Sequence, residues 1–232
     1  MFFGWYIDPV YLWYVFIPVL LISLAVQVFM RSTFSKWSNV RNGSGLNGLQ
    51  VGDQLFDHTS LQPVKLERTA GALTDHYDPG ANVVRLSDPV ATKPTVAALA
   101  VTAHELGHVQ QYQTGSGLIK MRGFLLPALQ FSPTISYLAI LFGLIWNITD
   151  LLWIGIFFFA LMVLFSILTL PVEINASRRG RRLLREAGLM QSEDDEKGSR
   201  MVLMAAASTY LAAAVTSILQ LLYYISVAQR RS

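Results

Sequence analysis

The sequence contains no cysteine and few charged residues. Without cysteine, the chain cannot form a disulfide bond or give a thiolate to a metal ion, which excludes disulfide scaffolds and cysteine-ligated zinc folds. Only 14% of its 232 residues are charged, against about a quarter in an ordinary soluble domain, whereas 53% are hydrophobic. Internal repeats and low-complexity tracts are also missing. The composition therefore points to a membrane protein with a soluble part.

Four hydrophobic runs are long enough to cross a bilayer as helices, which takes about 20 apolar residues. They cover residues 10–30, about 124–147, 151–171 and about 201–227. The fourth is rich in alanine, serine and threonine, so a partly buried helix is its alternative. A cleaved signal peptide is the alternative for the first run, but no Lys or Arg precedes it and it is long for such a peptide. We predict an α-helical membrane protein with about four transmembrane helices.

The basic residues predict the orientation of these helices. Segments 31–123 and 172–200 would share one side of the membrane, and they hold all of the 18 Lys and Arg residues except Arg230 and Arg231. Cytoplasmic segments carry the excess of Lys and Arg, so these two segments are expected in the cytoplasm and both termini outside. The net charge of +3 then reflects topology, and we expect membrane lipid but no nucleic acid as a partner.

The segment between the first two runs has the pattern of a small α+β domain. Apolar side chains that could line one face predict a short helix, namely Leu46, Leu49, Leu55 and Phe56. The segments on either side of the turn DPGAN predict a β-hairpin, and the alternation of apolar and polar residues in VKLER predicts a strand. A largely buried helix should begin near Pro94 and end by Gly115. The predicted elements are a helix at 46–56, strands at 64–68, 73–79 and 82–87, and a helix at 94–115.

The predicted buried helix contains the sequence HELGH, with His104, Glu105 and His108. The two histidines are one turn apart on one face, so both imidazoles can bind the same zinc ion. Glu105 is rotated by about 100° from His104 and can reach a metal-bound water as a base. A purely structural pair of histidines is the alternative, but unpaired polar groups in a buried helix are costly. The sequence has no second histidine box, which argues against a multi-histidine di-iron membrane oxygenase.

A catalytic zinc ion needs a third protein ligand and an open fourth position. The chain has only four histidines, which leaves His58 and His76, and a glutamate on another helix would serve equally well. The best candidate is Glu173, which follows the third hydrophobic run. Its alternative role is that of an acidic residue favoured in the first turn of a helix. From the residues alone, the choice stays open.

Four segments, in this order, resemble the YugP-type family of bacterial membrane zinc metallopeptidases. The segments are ALTDHYDP (72–79), VVRLSDPV (83–90), VAALAVTAHELGHVQQ (96–111) and LPVEINASRR (170–179). With the four-run layout, the resemblance covers nearly the whole chain. A more distant likeness is to HtpX-type proteases, in which HExxH is followed by two spans and then a glutamate ligand.

The resemblance implies a zincin-like domain that binds one Zn²⁺ per chain through His104, His108 and Glu173. Glu105 would be the catalytic base of this HExxH-plus-glutamate, gluzincin-like site. Asn175 stands where the family usually has aspartate, so it would be a weaker hydrogen-bond partner for a ligand. Ser177, in the same segment, is a second candidate for that supporting role.

The residues that would contact a substrate are predicted less specifically than the metal ligands. The family likeness suggests that His76 or Tyr77 donates a hydrogen bond to the oxyanion formed during hydrolysis. The alternative is turn chemistry, in which Asp75 and Asp78 bond to the local backbone while His76 and Tyr77 pack against the sheet. A strand can also pair with an extended substrate through its backbone. The strand predicted for that role contributes Asn82, Val83, Val84 and Arg85.

We therefore predict a zinc metalloendopeptidase in the bacterial plasma membrane that acts on membrane or membrane-proximal proteins, alone, as an oligomer or with a partner protein. The alternative is a membrane scaffold or adaptor whose zinc site is structural and closed by a fourth ligand such as His76. The predicted parts are a transmembrane anchor (1–30), a cytoplasmic zincin-like domain (31–122), a transmembrane hairpin (123–171), a cytoplasmic helix with Glu173 (172–200) and a C-terminal transmembrane helix and tail (201–232).

Overall fold

Helices dominate the computed structural model, which describes residues 8–231 of the chain. The elements are α1 (Pro9–Trp37), α2 (Gly48–His58), β1 (Lys65–Thr69), β2 (His76–Asp78), β3 (Val83–Ser87), α3 (Asp88–Thr92), α4 (Val96–Gln113), α5 (Gly117–Trp146), α6 (Thr149–Glu186) and α7 (Glu193–Gln229). Helix α1 includes a π-helical turn at Leu12–Phe16.

Among the described residues, α1, α5, α6 and α7 are long and apolar enough to cross a membrane. Each contains one of the hydrophobic runs found in the sequence, so the prediction of four candidate spans is confirmed, including the alanine-rich fourth. Residues 1–7, which begin the predicted N-terminal anchor, and Ser232 lie outside the described residues.

The chain divides into two compact units. We call them the helical unit, formed by the described parts of Met1–Gln27, Met121–Leu170 and Thr209–Ser232, and the α+β unit, formed by Val28–Lys120 and Pro171–Ser208. In the helical unit, small residues let α5 and α6 pack closely, as is common between membrane helices. A Cβ atom on Gly155 would lie 2.8 Å from the backbone nitrogen of Ile140, and one on Gly143 would lie 2.9 Å from that of Leu152.

The α+β unit contains a three-stranded sheet in the order β1-β3-β2. The predicted hairpin is confirmed, because β2 pairs antiparallel with β3 and His76 lies opposite Arg85. Strand β1 pairs with the other edge of β3 in parallel, with Lys65 opposite Val83. The central strand is thus paired on both sides and mostly buried, which fits its apolar composition.

Helix α4 is the centre of the hydrophobic core of this unit. The Thr95 hydroxyl accepts a hydrogen bond from the backbone of Ala98, so the helix begins at Val96, slightly later than the start predicted near Pro94. Its apolar side chains pack against α2, β3 and the last turns of α6. The buried core residues on these elements include Leu99, Leu106, Val109, Val51, Leu55, Val84, Leu86, Leu183 and Leu184.

Two glycines bring the backbones of α4 and α6 into contact. A Cβ atom on Gly107 would lie 2.3 Å from the carbonyl oxygen of Ala176, and one on Gly180 would lie 2.3 Å from that of Ala103. No side chain fits at these distances, so only glycine permits this close crossing. The contact brings the histidines of α4 next to the start of the polar part of α6.

Candidate metal centre

Three potential ligand atoms from α4 and α6 converge in the α+β unit. The Nε2 atoms of His104 and His108 lie 3.3 Å and 3.4 Å from Oε2 of Glu173. The two imidazole rings stand nearly perpendicular, with their centroids 4.8 Å apart. The one-turn spacing on α4 and the glycine contact with α6 together produce this arrangement. Among the described residues, these three form a group whose ligand atoms all lie within 4.8 Å of one another.

The geometry and chemistry of this group fit a zinc ion. Two ligands that each lie about 2.0–2.1 Å from a tetrahedral zinc are about 3.3–3.4 Å apart, as the two histidine–glutamate pairs are. Glu173 is only 3% exposed, and its Oε2 atom has no hydrogen-bond partner among the described residues. A buried carboxylate oxygen without a donor is costly, and a cation between the three ligands would compensate it.

The electrostatics of the group also favour a positive charge. Burial opposes ionisation of Glu173, which lies beyond the apolar run 151–171, but the two imidazoles outweigh burial and hold its pKa well below the usual range. Burial likewise disfavours a charged His108, but the nearby carboxylates of Glu173 and Glu105 raise its pKa. The two shifts are complementary, because the carboxylate of Glu173 and the imidazole of His108 each stabilise the charged form of the other.

The other nitrogen of each imidazole faces a supporting side chain. His104 Nδ1 lies 3.1 Å from the hydroxyl oxygen of Ser177, one of the two predicted supporting residues. His108 Nδ1 lies 3.0 Å from Oε1 of Gln111. Both Nε2 atoms are left facing Glu173. Metal-binding histidines commonly have such a partner at the second nitrogen, which fixes the ring orientation.

The orientation of Gln111, and with it the tautomer of His108, follows from the neighbouring bonds. The side-chain nitrogen of fully buried Gln111 donates to the carbonyl oxygen of Val172 and to Oδ1 of Asn175, both at 2.9 Å. Asn175 Oδ1 also accepts from Nε of Arg179, which can only donate. The remaining oxygen of Gln111 therefore faces His108, so His108 carries its proton on Nδ1 and has its lone pair on Nε2.

Asn175 thus contacts Gln111 and Arg179, and in the described part of the chain it makes no hydrogen bond to His104, His108 or Glu173. We expected Asn175 to contact a ligand residue itself, but it contacts Gln111, which in turn contacts His108. Gln111 was not among the predicted site residues, although its position three residues after His108 places both side chains on one helical face. That spacing was the available signal.

Glu105 lies in the same unit and is 8% exposed. Burial raises its pKa, the imidazoles of His104 and His108 oppose that change, and the negative charges of Asp75 and Glu173 add to it. Asp75 accepts hydrogen bonds from the backbone and hydroxyl of Ser87, at 2.7 Å and 2.8 Å. Asp75 thus bonds to Ser87, twelve residues further along the chain, whereas Asp78 bonds to the backbone of its own turn, as the turn alternative expects.

His76 and Tyr77 are held by groups away from the three ligands. His76 Nδ1 lies 2.8 Å from the carbonyl oxygen of Thr74, and its Nε2 lies 3.5 Å from Arg85. The Tyr77 hydroxyl donates to Asn82 at 2.8 Å, and its ring packs edge-on against Tyr112 of α4.

Neither remaining histidine joins the metal group in the described part of the chain. His58 lies at the end of α2 and faces the carbonyl oxygen of Gln54. The scaffold alternative needs a fourth protein ligand such as His76, and His76 does not lie in the group of three among the described residues.

The strand predicted to bind substrate needs a correction. Val83, Val84 and Arg85 belong to β3, whose backbone pairs with β1 on one side and β2 on the other. A substrate can add only to a free edge, so β3 cannot take one at these residues. Arg85 is in addition paired with Glu67 and Asp78, at 3.2 Å and 3.0 Å. The free edges of the sheet belong to β1 and β2.

Comparisons with known proteins agree with the geometry. A family profile described as "Putative neutral zinc metallopeptidase" matches residues 12–229. The chain is 36% identical over 211 residues to the "Putative membrane protease YugP" of Bacillus subtilis (strain 168), covering 91% of this chain and 93% of that relative. No solved structure matches the chain significantly.

Proposed function

The chain belongs to the family of neutral zinc metallopeptidases whose profile it matches, and from that membership we propose that it is a membrane-embedded zinc endopeptidase. The observation that carries the proposal is the convergence of His104, His108 and Glu173, with an unpartnered carboxylate oxygen between two imidazole nitrogens. Residues of this kind and number leave one zinc position for water or substrate, as in catalytic zinc sites.

The chain's own residues hold one Zn²⁺ in this proposal. His104 and His108 give their Nε2 atoms, and Glu173 gives its carboxylate. Zinc bound there would act as a Lewis acid and lower the pKa of a water to about 7. Ser177 and Gln111 fix the orientation of the rings, because each faces the Nδ1 atom of one histidine. The site would thus be of the HExxH-plus-glutamate, gluzincin-like type.

Glu105 is the general base of the proposed reaction. It takes a proton from the attacking water and passes it to the leaving amine as the peptide bond breaks. A base works best when its pKa lies near the working pH, and burial raises the pKa of Glu105 in that direction. The burial of Glu105 beside the two histidines supports this role.

Substrate binding is proposed at the free edge of β2. This strand pairs with β3 on one side only and packs beside α4, where Tyr77 meets Tyr112. A substrate added there in extended form would gain backbone hydrogen bonds with little sequence specificity. His76 and Tyr77 stay the candidate oxyanion donors, and each would have to turn away from its present partner to act.

The catalytic domain is proposed to face the cytoplasm, with residues 31–122 as a zincin-like domain and both termini outside. The distribution of Lys and Arg supports this orientation. Residues 123–171 would form a transmembrane hairpin and 201–232 the last span and tail, whereas 172–200, which holds the end of α6 and the start of α7, would be the cytoplasmic segment with Glu173. Glu173 follows the apolar run 151–171 directly, so membrane proteins and their cytoplasmic tails are the expected substrates.

The test is zinc content and casein cleavage of the purified chain in detergent. We expect Glu105→Gln to keep its zinc and lose cleavage, because it removes only the base. Glu173→Ala should lose zinc and cleavage together, because it removes a ligand. The matched control is Glu186→Gln, an exposed glutamate near the end of α6, which should behave as wild type. Full cleavage by Glu105→Gln would overturn the proposal.

A further inference from the structure

Behind the metal centre, the α+β unit contains a polar cavity of about 520 Å³. It is separated from His108 by Gln111 and Asn175, so it is distinct from the proposed catalytic site. The cavity is lined by Gln110 and Thr114 of α4 and by Asn175, Arg178, Arg179 and Arg182 of α6. Three of its six lining residues are therefore arginines.

One of these arginines is held in place by neutral groups only. Arg179 donates from Nε to Asn175 at 2.9 Å, and from Nη1 to Gln110 at 3.2 Å and Thr114 at 3.3 Å. These bonds fix the plane of the guanidinium without neutralising its charge. Its Nη2 atom makes no hydrogen bond to the described residues and is left available as a donor.

The positive charge of the cavity is compensated only in part within the described part of the chain. No carboxylate there lies within ion-pair distance of Arg178 or Arg179, and Arg182 has a long contact of 3.5 Å with exposed Glu186. Arg181 and Arg185, on the same helix but outside this cavity, both pair with Glu196. Arg181 and Arg185 therefore have an anionic partner, whereas Arg178 and Arg179 have none among the described residues.

We propose that this cavity binds a phosphate group through Arg178, Arg179 and Arg182. The guanidinium group presents its donors in a planar fork that matches an oxyanion, and a charge-assisted hydrogen bond is stronger than a neutral one. The membrane orientation accounts for an excess of arginine in this segment. It does not explain why Arg179 is held by three hydrogen bonds without a negatively charged partner. The phosphate can come from the headgroup of an anionic phospholipid or from a soluble phosphate.

The first experiment titrates inorganic phosphate into the zinc-loaded full chain in neutral detergent, by calorimetry. The double variant Arg178→Gln/Arg182→Gln should weaken phosphate binding about tenfold or more, since each removes a charge-assisted donor. The control double variant Lys93→Gln/Lys197→Gln removes the same charge from exposed positions of the same unit outside the cavity, and it should change the affinity less than twofold. Phosphate bound at zinc would be unaffected by either pair, so the readout does not depend on the proposed catalysis.

The second experiment identifies the source of the phosphate. The chain is extracted from nanodiscs of mixed phosphatidylglycerol and phosphatidylcholine, and retained lipids are counted by native mass spectrometry. If the wild type retains phosphatidylglycerol and the cavity variant does not, the site binds a lipid headgroup. Phosphate binding lost in the variant without lipid enrichment assigns it to a soluble phosphate. The proposal is overturned when the cavity variant loses neither ligand, or when the control loses as much.

Discussion

Glu173 is the residue on which the metal centre depends most. It is buried, it faces both histidines, and its Oε2 atom has no donor in the described structure. Glu105 is buried one residue after His104 but is rotated away from the shared face, which suits a base better than a ligand. We therefore propose different roles for two glutamates of similar burial, because their helices place them differently.

At the same scale, Gln111 should determine how firmly His108 is held. Gln111→Leu keeps the volume but removes the acceptor for His108 Nδ1, and we expect zinc affinity to fall about 10- to 100-fold. Competition with a fluorescent zinc chelator measures it. The matched control is Gln113→Leu on the same helix, where the glutamine is exposed and bonds to Gln62. Equal affinities for the two variants would refute the supporting role of Gln111.

The sequence predicted the ligand residues better than it predicted their supports. His104 and His108 follow from helical spacing, and Glu173 was a candidate because catalytic zinc needs a third ligand. Gln111 was not predicted, because a glutamine near a helix end ordinarily faces water. Its burial depends on contact with Val172 and Asn175, which are more than 60 residues away along the chain. Local pattern carries no information about such a contact.

At the scale of elements, the metal centre depends on the crossing of α4 and α6. Gly107 and Gly180 allow the two backbones to touch, and that contact sets the distance between the histidines and Glu173. The sequence predicted both helices but not the crossing. It also predicted the hairpin of β2 and β3 but not the parallel pairing of β1, so β3 was expected at an edge and lies at the centre.

Gly107→Ala tests the crossing. The added Cβ would lie 2.3 Å from the carbonyl oxygen of Ala176, so the helices must separate. Overpacking of this kind costs about 1–3 kcal/mol, and the larger ligand separation should also reduce zinc content. Thermal unfolding and metal analysis in detergent measure both. Gly117→Ala is the control, because nothing lies within 4 Å of a Cβ at that position. A fully stable, zinc-replete Gly107→Ala protein would contradict the role of the crossing.

At the scale of the whole molecule, the spans and their orientation are predicted mainly from the four hydrophobic runs and the distribution of basic residues. The runs predicted the four candidate spans because membrane helices need an apolar stretch of fixed length. The division into two units was harder to predict, since the α+β unit combines Val28–Lys120 with Pro171–Ser208. These segments are joined by packing of α4 against α6, which no local pattern indicates.

The orientation can be measured directly because the chain lacks cysteine. Single cysteines are introduced as Ile148→Cys, in the predicted external loop, and Ser192→Cys, in the predicted cytoplasmic segment; both positions are exposed. A membrane-impermeant maleimide should label intact cells at Ile148→Cys only, and lysed cells at both. Labelling of Ser192→Cys alone in intact cells would place the catalytic domain outside.

X-ray absorption spectroscopy of the purified wild type would show whether the chain holds an open zinc centre with three protein ligands. We expect one zinc per chain, bound by two imidazoles at about 2.0–2.1 Å and by oxygen atoms from Glu173 and a water. A third imidazole, or no zinc after reconstitution, would contradict this expectation. A third imidazole in place of the water would indicate a closed structural site, and the absence of zinc would leave His104 and His108 without a metal.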